Sequence, residues 1–300
     1  MKILITGSKG MLGTDFCQLL LDRDYEFVGT DIKEPGGGEL YDYQLLDITK
    51  EDETKKIIHK IKPDLIVHTA AYTQVDSCEE DKDLAYLVNS EGTKNIALAS
   101  KAENSFVVYL STDYVFDGRK SSPYKEYDET NPLSIYGDSK LKGELAIKEI
   151  LEKYLIIRTS WLYGKYGSNF VDKIIAKAKE VDKLRIVDDQ EGSPTYTVDL
   201  SEALLRIIAL YIEGKFNDKR NLGVYHITNS GSCTWFEYAK EIVRLAGIDV
   251  EVEPITTSQL NAPAERPAYS VLDNSRFIDV SGFRMRGWQQ ALRDYLSPII

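Results

Sequence analysis

Tyr136 and Lys140, spaced i and i+4 in Tyr136-Gly137-Asp138-Ser139-Lys140, form the residue pair with the plainest chemical use in this sequence. On a helix such a pair shares one face, a single turn apart. A phenol ordinarily titrates near ~10, and an adjacent ammonium favours the phenolate, bringing the group toward proton exchange with a carbonyl or alcohol. The same spacing recurs at Tyr211 and Lys215, but there Gly214 marks a helix end and no polar strand tip precedes the pair. Tyr136 instead follows Asn131-Pro132-Leu133-Ser134 and comes 24 residues after Thr112. Ser111-Thr112-Asp113-Tyr114 closes an apolar run with hydroxyls, at the edge where parallel sheets bind ligands. Thr112 is predicted to hold a substrate oxygen while Tyr136 supplies a proton. A loop cap is the other reading of Ser111 and Thr112.

A second set of residues, near the amino terminus, suits a nucleotide. Gly7-Ser8-Lys9-Gly10-Met11-Leu12-Gly13 follows the first apolar run and opens a helical pattern. In that setting a glycine turn directs main-chain N–H groups, here with Met11 and Leu12 between the second and third glycines, at a pyrophosphate. The spacing is G-x-x-G-x-x-G, one residue longer at the front than G-x-G-x-x-G, and a tight structural turn is the competing explanation. Asp31 ends the second apolar run, 18 residues past Gly13, where a carboxylate accepts hydrogen bonds from the adenosine ribose. It repels a 2′-phosphate, so NADH is expected over NADPH, with nearby Lys33 softening the preference. Thr69-Ala70-Ala71 offers small residues over which a cofactor can lie.

These groups need a scaffold that brings residues 7, 31, 69, 112 and 136 to one edge. Apolar runs at Lys2–Thr6, Tyr25–Thr30, Asp64–Thr69, Phe106–Ser111 and Tyr154–Thr159 alternate with helical patterns at Met11–Leu21, Glu51–Ile61, Leu84–Lys101 and Ser139–Lys153. Continuous apolar strands between amphipathic helices predict an α/β fold, a doubly wound parallel sheet of Rossmann type covered on both faces. Later helices are expected near Asn169–Val181, Val198–Ile212, Thr234–Ala246 and Trp288–Leu296, with a strand at Gly223–Ile227. The expected division is a dinucleotide-binding domain over 1–160, rejoined by some later segments, and a smaller, interleaved α/β substrate lobe mainly over 161–300.

Composition narrows the partners. The net charge is −11 over 300 residues, which argues against a protein that grips a nucleic-acid backbone electrostatically. The charge is uneven: residues 1–150 hold 18 basic against 28 acidic side chains, whereas 151–300 hold 19 against 20. Ten of the twelve arginines lie in the second half, so an anionic substrate is expected to draw its side-chain ligands from there. Cys17, Cys78 and Cys233 are widely spaced, with no Cys-x-x-Cys and no adjoining histidine; a reducing compartment is expected and no metal set is assigned. His68 and His226 fall inside apolar runs and read as satisfied core histidines. With no leader pattern and no apolar stretch of membrane-spanning length, a cytoplasmic location without membrane association is expected.

The blocks TGSKGMLG, LDIT, HTAAYTQVD, LSTDYVFDG, NPLSIYGDSKLKGE, IIRTSWLYG, DDQEGSPT and AERPAYSVLD run through nearly the whole chain. Together they resemble the extended short-chain dehydrogenases/reductases and, among these, the dTDP-4-dehydrorhamnose reductase family. The glycine and Tyr/Lys motifs are common to the superfamily, whereas STDYVFDG, RTSWLYG and the late RPAYSVLD block are more diagnostic. The resemblance implies Thr112, Tyr136 and Lys140 as the catalytic set, with Lys140 also on the nicotinamide ribose. It implies Asp47 and Ile48 against the adenine, and Thr112, Asp113 and Trp161 at the sugar. Arg266 is the candidate for the nucleotide diphosphate, with a surface-loop arginine as its other reading, and Arg158 reads as structural. Nucleotide-sugar 4,6-dehydratases carry Asp-Glu after this threonine; here Asp113-Tyr114 follows, which disfavours dehydration. The activity implied is NAD(P)H-dependent reduction of the C4 keto group of a dTDP-linked sugar, dTDP-4-dehydro-L-rhamnose. The alternatives are another nucleotide-linked 4-keto sugar or a non-catalytic regulatory subunit of methionine adenosyltransferase type. The resemblance also extends to reductases that dimerise around a divalent cation through carboxylates, and Asp15, just after the glycine turn, has a place where such a ligand could sit, although an acid in a first helical turn also answers the helix dipole; the metal and a homodimer stay open.

Overall fold

The computed structural model describes residues 1–36, 38 and 40–297; the last three residues of the lobe expected over 161–300 lie outside the described residues. Each of the five leading apolar runs becomes a buried strand: β1 (Ile3–Thr6), β2 (Phe27–Asp31), β4 (Leu65–His68), β5 (Phe106–Thr112) and β6 (Tyr154–Thr159). A further strand, β3 (Asp42–Leu45), was not foreseen; it lies at the sheet edge, where its residues are partly or largely exposed and no apolar run is required. With the strand Gly223–His226 they form one seven-stranded sheet in the order Gly223–His226, β6, β5, β4, β1, β2, β3. Every pairing in it is parallel. The chain reverses direction across the sheet between β1 and β4, the crevice where doubly wound folds take their ligands.

Side chains alternate across the strands and fill two layers. Ile3, Ile5, Val67 and Val108 face the helices Met11–Asp22 and Thr197–Ile212, while Leu4, Ile66, Val107 and Ile156 face Glu51–Ile61, Thr93–Glu103 and Ile135–Ile150. Each such fully buried side chain contributes about 1.5–3 kcal/mol. A third core holds Tyr163, Ile174, Leu184, Tyr238, Ile242, Trp288 and Leu292, around a parallel ribbon of Lys183–Val187 and Glu251–Ile255. Leu204, Ile207, Tyr225 and Phe277 belong instead to the first core, so the later chain returns repeatedly to the sheet.

Two helices depart from the expected bounds, and both border the site. Leu84–Lys101 is not one helix: a π-helical turn, Leu87–Gly92, separates Lys82–Tyr86 from Thr93–Glu103. The helix expected from Ser139 starts at Ile135, because the Ser134 hydroxyl accepts from Gly137 N at 3.2 Å and caps it. Tyr136 therefore stands in its first turn. The three cysteines are free and buried.

Candidate active site

The glycine turn runs from β1 into the helix Met11–Asp22 and is built as a cradle. Gly7 has φ +72°, and a Cβ there would stand 2.6 Å from Ala70 N. At Gly13 a Cβ would fall 2.1 Å from the Gly7 carbonyl oxygen, whereas at Gly10 the nearest atom is 3.1 Å away. The N-cap, Gly10, has no side chain to bond the first turn, so the N–H groups of Met11, Leu12 and Gly13 point outward without helical acceptors. A dinucleotide pyrophosphate fits such a cradle. Thr69 braces its far side, donating from Oγ1 to the Thr6 carbonyl at 2.7 Å, and partly exposed Ala70 and Ala71 continue the floor.

Asp31 closes β2 beside this turn. Its Oδ2 accepts from Lys9 N at 3.0 Å and its Oδ1 from Lys33 N at 3.2 Å, which fixes the carboxylate while leaving each oxygen a second lone pair. Lys33 Nζ reaches the Lys9 carbonyl at 3.2 Å, and Lys9 Nζ the Glu34 carbonyl at 2.8 Å. The main chain of two lysines thus holds this one acid. Asp47 accepts from Thr49 N and Oγ1 at 3.0 and 2.7 Å. Buried Ile48 lies on Gly92, and its carbonyl accepts from Asn95 Nδ2 at 2.9 Å.

Thr112 and Tyr136 meet at the carboxyl edge of the sheet. Thr112 ends β5 and Tyr136 opens the helix beside it, its ring edge-on to that of Tyr114 at 5.8 Å between centres. Burial raises the Tyr136 pKa well above that of a free phenol, with the Thr112 hydroxyl pulling it partly back. The group is a protonated donor. Two details of the sequence reading are corrected. The Lys140 ammonium does not rest on the phenol: it donates to the Leu110 carbonyl at 2.7 Å and lies 4.2 Å from the centre of the Tyr109 ring, because the stem at i+4 runs down along β5. Burial draws its pKa down to about 7. The Thr112 hydroxyl proton, assigned to a substrate oxygen, is directed at Asp113 Oδ1 at 3.1 Å, while Thr112 Oγ1 accepts from Tyr114 N at 3.2 Å.

Asp113 is buried, with Oδ2 unpartnered. Burial pushes its pKa up to about 7 against the pull of the Ser270 and Thr112 hydroxyls. Trp161 lies two residues beyond Thr159, the register partner of Thr112. It has φ +47°, uncommon for a bulky residue. Its ring stacks on Trp235 at 3.4 Å and 7°, and a Cβ on Gly192 would come within 2.5 Å of it. Arg266 is not a loose loop arginine. It is held by Asp76, Nη2 to Oδ2 at 2.8 Å, and by the Ala264 carbonyl at 2.9 Å, and it borders a cavity of about 290 Å³ lined also by Gln190, Thr257 and Glu265. A diphosphate would have to share or displace Asp76.

Arg158 is structural, paired with Glu144 inside the core. His68 bonds Thr6 and Thr93 at 2.6 and 3.1 Å, and His226 bonds the Tyr124 carbonyl at 3.0 Å. Asp15 accepts from the Thr197 hydroxyl. Among the described residues no cluster of three or more acidic, histidine or cysteine side chains is arranged to hold a metal, and no helix is long and apolar enough to cross a membrane. One site residue escaped the sequence reading. Asn89, buried in the π-helical turn, bonds Tyr72 N and O at 2.8 and 2.9 Å and Ser139 Oγ at 3.0 Å, tying the loop after β4 to the helix of Tyr136. Asn89 and Gly92 are both poor helix formers inside a helical pattern, which was the available signal; π turns of this kind gather at functional sites.

The family model described as the RmlD substrate binding domain matches residues 1–300. The spore coat polysaccharide biosynthesis protein SpsK of Bacillus subtilis is 39% identical over 98% of this chain and 96% of its own. A dTDP-4-dehydrorhamnose reductase from Clostridium acetobutylicum superposes with a TM-score of 0.89 at 42% identity, covering 100% of this chain and 99% of that one. Another from Bacillus anthracis, solved in complex with NADP, gives 0.86 at 39% identity over 99% of both chains. With the glycine turn, Thr112, Tyr136 and the late arginine loop all inside a match that spans its whole length, this chain belongs to the RmlD substrate-binding domain family.

Proposed function

We propose that this protein reduces the C4 keto group of dTDP-4-dehydro-L-rhamnose to the alcohol of dTDP-L-rhamnose, using NADH or NADPH. The observation that carries the reading is that Thr112, at the carboxyl end of β5, and Tyr136, in the first turn of the helix beside it, come to one edge of the sheet, in a chain of this family. The turn of Gly7, Gly10 and Gly13 would hold the dinucleotide, whose reduced nicotinamide would supply the hydride for C4. Tyr136 stands ready as a protonated phenol and gives its proton to the oxygen developing on C4. Lys140 sits one turn below with its charge and its reach toward the nicotinamide ribose. Asp113, whose carboxyl pKa is pushed up to about 7 by burial, donates to Thr112 Oγ1 when protonated; the threonine proton is then released toward the substrate oxygen and the phenol.

Trp161 forms a flat wall for the sugar, and Arg266 grips the diphosphate, with Asp76 as the partner it holds in the free protein. Asp47 and Ile48 border the adenine. Asp31 receives the adenosine ribose, while Lys9 and Lys33 supply charge for a 2′-phosphate, which supports use of both cofactors. Residues 1–160, with the helix Thr197–Ile212 and the strand Gly223–His226, form the cofactor domain, and the remainder of 161–300 the substrate lobe. The test is nicotinamide oxidation, followed by absorbance with NADH and NADPH against dTDP-, UDP- and GDP-linked 4-keto sugars, with product stereochemistry by NMR. Turnover confined to a substrate other than the dTDP sugar, or none at all, overturns the proposal.

A further inference from the structure

A charged cluster lies under the Thr112–Tyr136 pair, away from any reacting atom. Glu144 follows Lys140 by one turn on the helix Ile135–Ile150 and is completely buried. Its Oε1 accepts from the Ser111 hydroxyl at 2.6 Å and from Arg158 Nε at 2.9 Å; its Oε2 accepts from Arg158 Nη2 at 2.7 Å and Lys148 Nζ at 3.3 Å. Ser111 immediately precedes Thr112 and pairs in register with Arg158 on β6. Arg158 lies 5.0 Å from the Phe116 ring centre, and its Nη1 has no partner. An ion pair so deeply buried is a poor source of stability, since apolar residues of like volume do as well or better. Its place suggests another use.

We propose that Glu144 is a positioning residue for the reduction: clamped by Ser111 and Arg158, it sets the helix of Tyr136 and Lys140 against the strand end of Thr112 and supplies the negative charge that keeps the Lys140 ammonium protonated. The surroundings of Lys140 require such a charge. Its own helix presents Tyr136 and Glu144, β5 presents Tyr109 and the Leu110 carbonyl, and β4 presents His68, which burial keeps neutral with a pKa near about 3. Tyr109 and Tyr136 are likewise neutral, since burial raises both phenols. Asn89 and Thr93 add no charge, and Arg158 enters the cluster from β6 as a second cation. Burial lowers the Lys140 pKa, and Glu144 is the group that raises it again.

This inference rests on the proposed reduction, so its test includes a measurement that needs no turnover. Glu144→Gln keeps the shape and removes the charge. The Lys140 ammonium, followed by 15N NMR of lysine-labelled protein and assigned with Lys140→Met, is expected to titrate about one pH unit lower, a tenfold change in its protonation ratio. The alkaline limb of kcat moves down with it, while KM for sugar and cofactor changes less than about threefold. Should the unpaired Arg158 prevent folding, Arg158→Met leaves Glu144 with Ser111 and Lys148 but without its main countercharge, and Lys140 then titrates above wild type. A Lys140 titration unchanged in a folded variant overturns the proposal. A lowered titration in a protein that reduces no 4-keto sugar leaves the role of Glu144 standing and refutes the assigned reaction.

Discussion

Gly13→Ala and Gly10→Ala differ by one methyl group at two positions of the same turn, yet the structure sets their consequences far apart. At Gly13 the added carbon would sit 2.1 Å from the Gly7 oxygen and 2.9 Å from Gly7 C and Ser8 Cα. All three are main-chain atoms in a turn packed on Ala70, so no side chain can swing aside. Apolar contacts are most favourable at about 3.5–4.0 Å, so the turn or the helix start must move by more than ~1 Å. At Gly10 the nearest atom, again the Gly7 oxygen, is 3.1 Å away, and a few tenths of an ångström suffice. Overpacking of the first kind costs about 1–3 kcal/mol, about 2–6 °C in Tm for a chain of this length. Because the displaced atoms carry the N–H groups aimed at the pyrophosphate, losing one such bond to a charged group costs about 1.5–3 kcal/mol, and cofactor binding should weaken about 10- to 100-fold. Calorimetric titration with NADH and NADPH, beside thermal melts, measures both effects. Gly10→Ala should stay within about tenfold of wild type in affinity. Equal losses in the two variants, or wild-type binding by Gly13→Ala, would refute the close-packed cradle.

Tyr136→Phe should lower kcat by about 10²–10⁴ with cofactor affinity nearly unchanged in the same titration; near-normal turnover would remove Tyr136 from the proton transfer. Asp113 has a folded pKa of about 7 against ~3.9 for a free aspartate. Its stabilising contribution is therefore complete below about pH 4 and lost as pH rises through about 7, by up to about 4 kcal/mol. Urea unfolding of Asp113→Asn across that window should lack this decline. Gly192→Ala pushes a carbon into the Trp161 indole and is expected to raise the sugar KM about tenfold, leaving NADH affinity intact. Replacing Lys9 and Lys33 together by alanine should weaken NADPH about tenfold and NADH by less than threefold, read from KM values.

The parts of the site that were legible share one property: local backbone demands dictate their residue types. Where a Cβ at position 7 would stand 2.6 Å from Ala70 N only glycine fits, and buried parallel strands must be apolar on both faces. Edge strand β3 was silent because neither face needs to be apolar. The true start of the helix at Ile135 was hidden because its signal is a single capping serine, placed before a glycine and an aspartate that suit loops equally well. Asn89 carried a signal, a stretch of poor helix formers from Val88 to Thr93 broken only by Glu91, whose meaning depends on the π turn that accommodates it.

Side-chain direction and pairing lay beyond any such reading. The i,i+4 spacing of Tyr136 and Lys140 put both on one face, but the lysine stem follows the strand beneath and its charge meets the Leu110 carbonyl. The excess of arginine in the second half pointed to an anion site, yet whether Arg266 stood free or paired turned on Asp76, 190 positions away. Arg158 and Glu144 are 14 residues apart, and their partnership exists because β6 lies beside β5 with Ser111 opposite Arg158. Sequence alone determined the fold class, the glycine turn and the tyrosine, since these answer to short-range sterics and periodic burial. The protonation states, the clamp behind the catalytic helix and the direction of the Thr112 proton were decided by the tertiary structure, because desolvation and charge pairing depend on which distant segments share a dry interior.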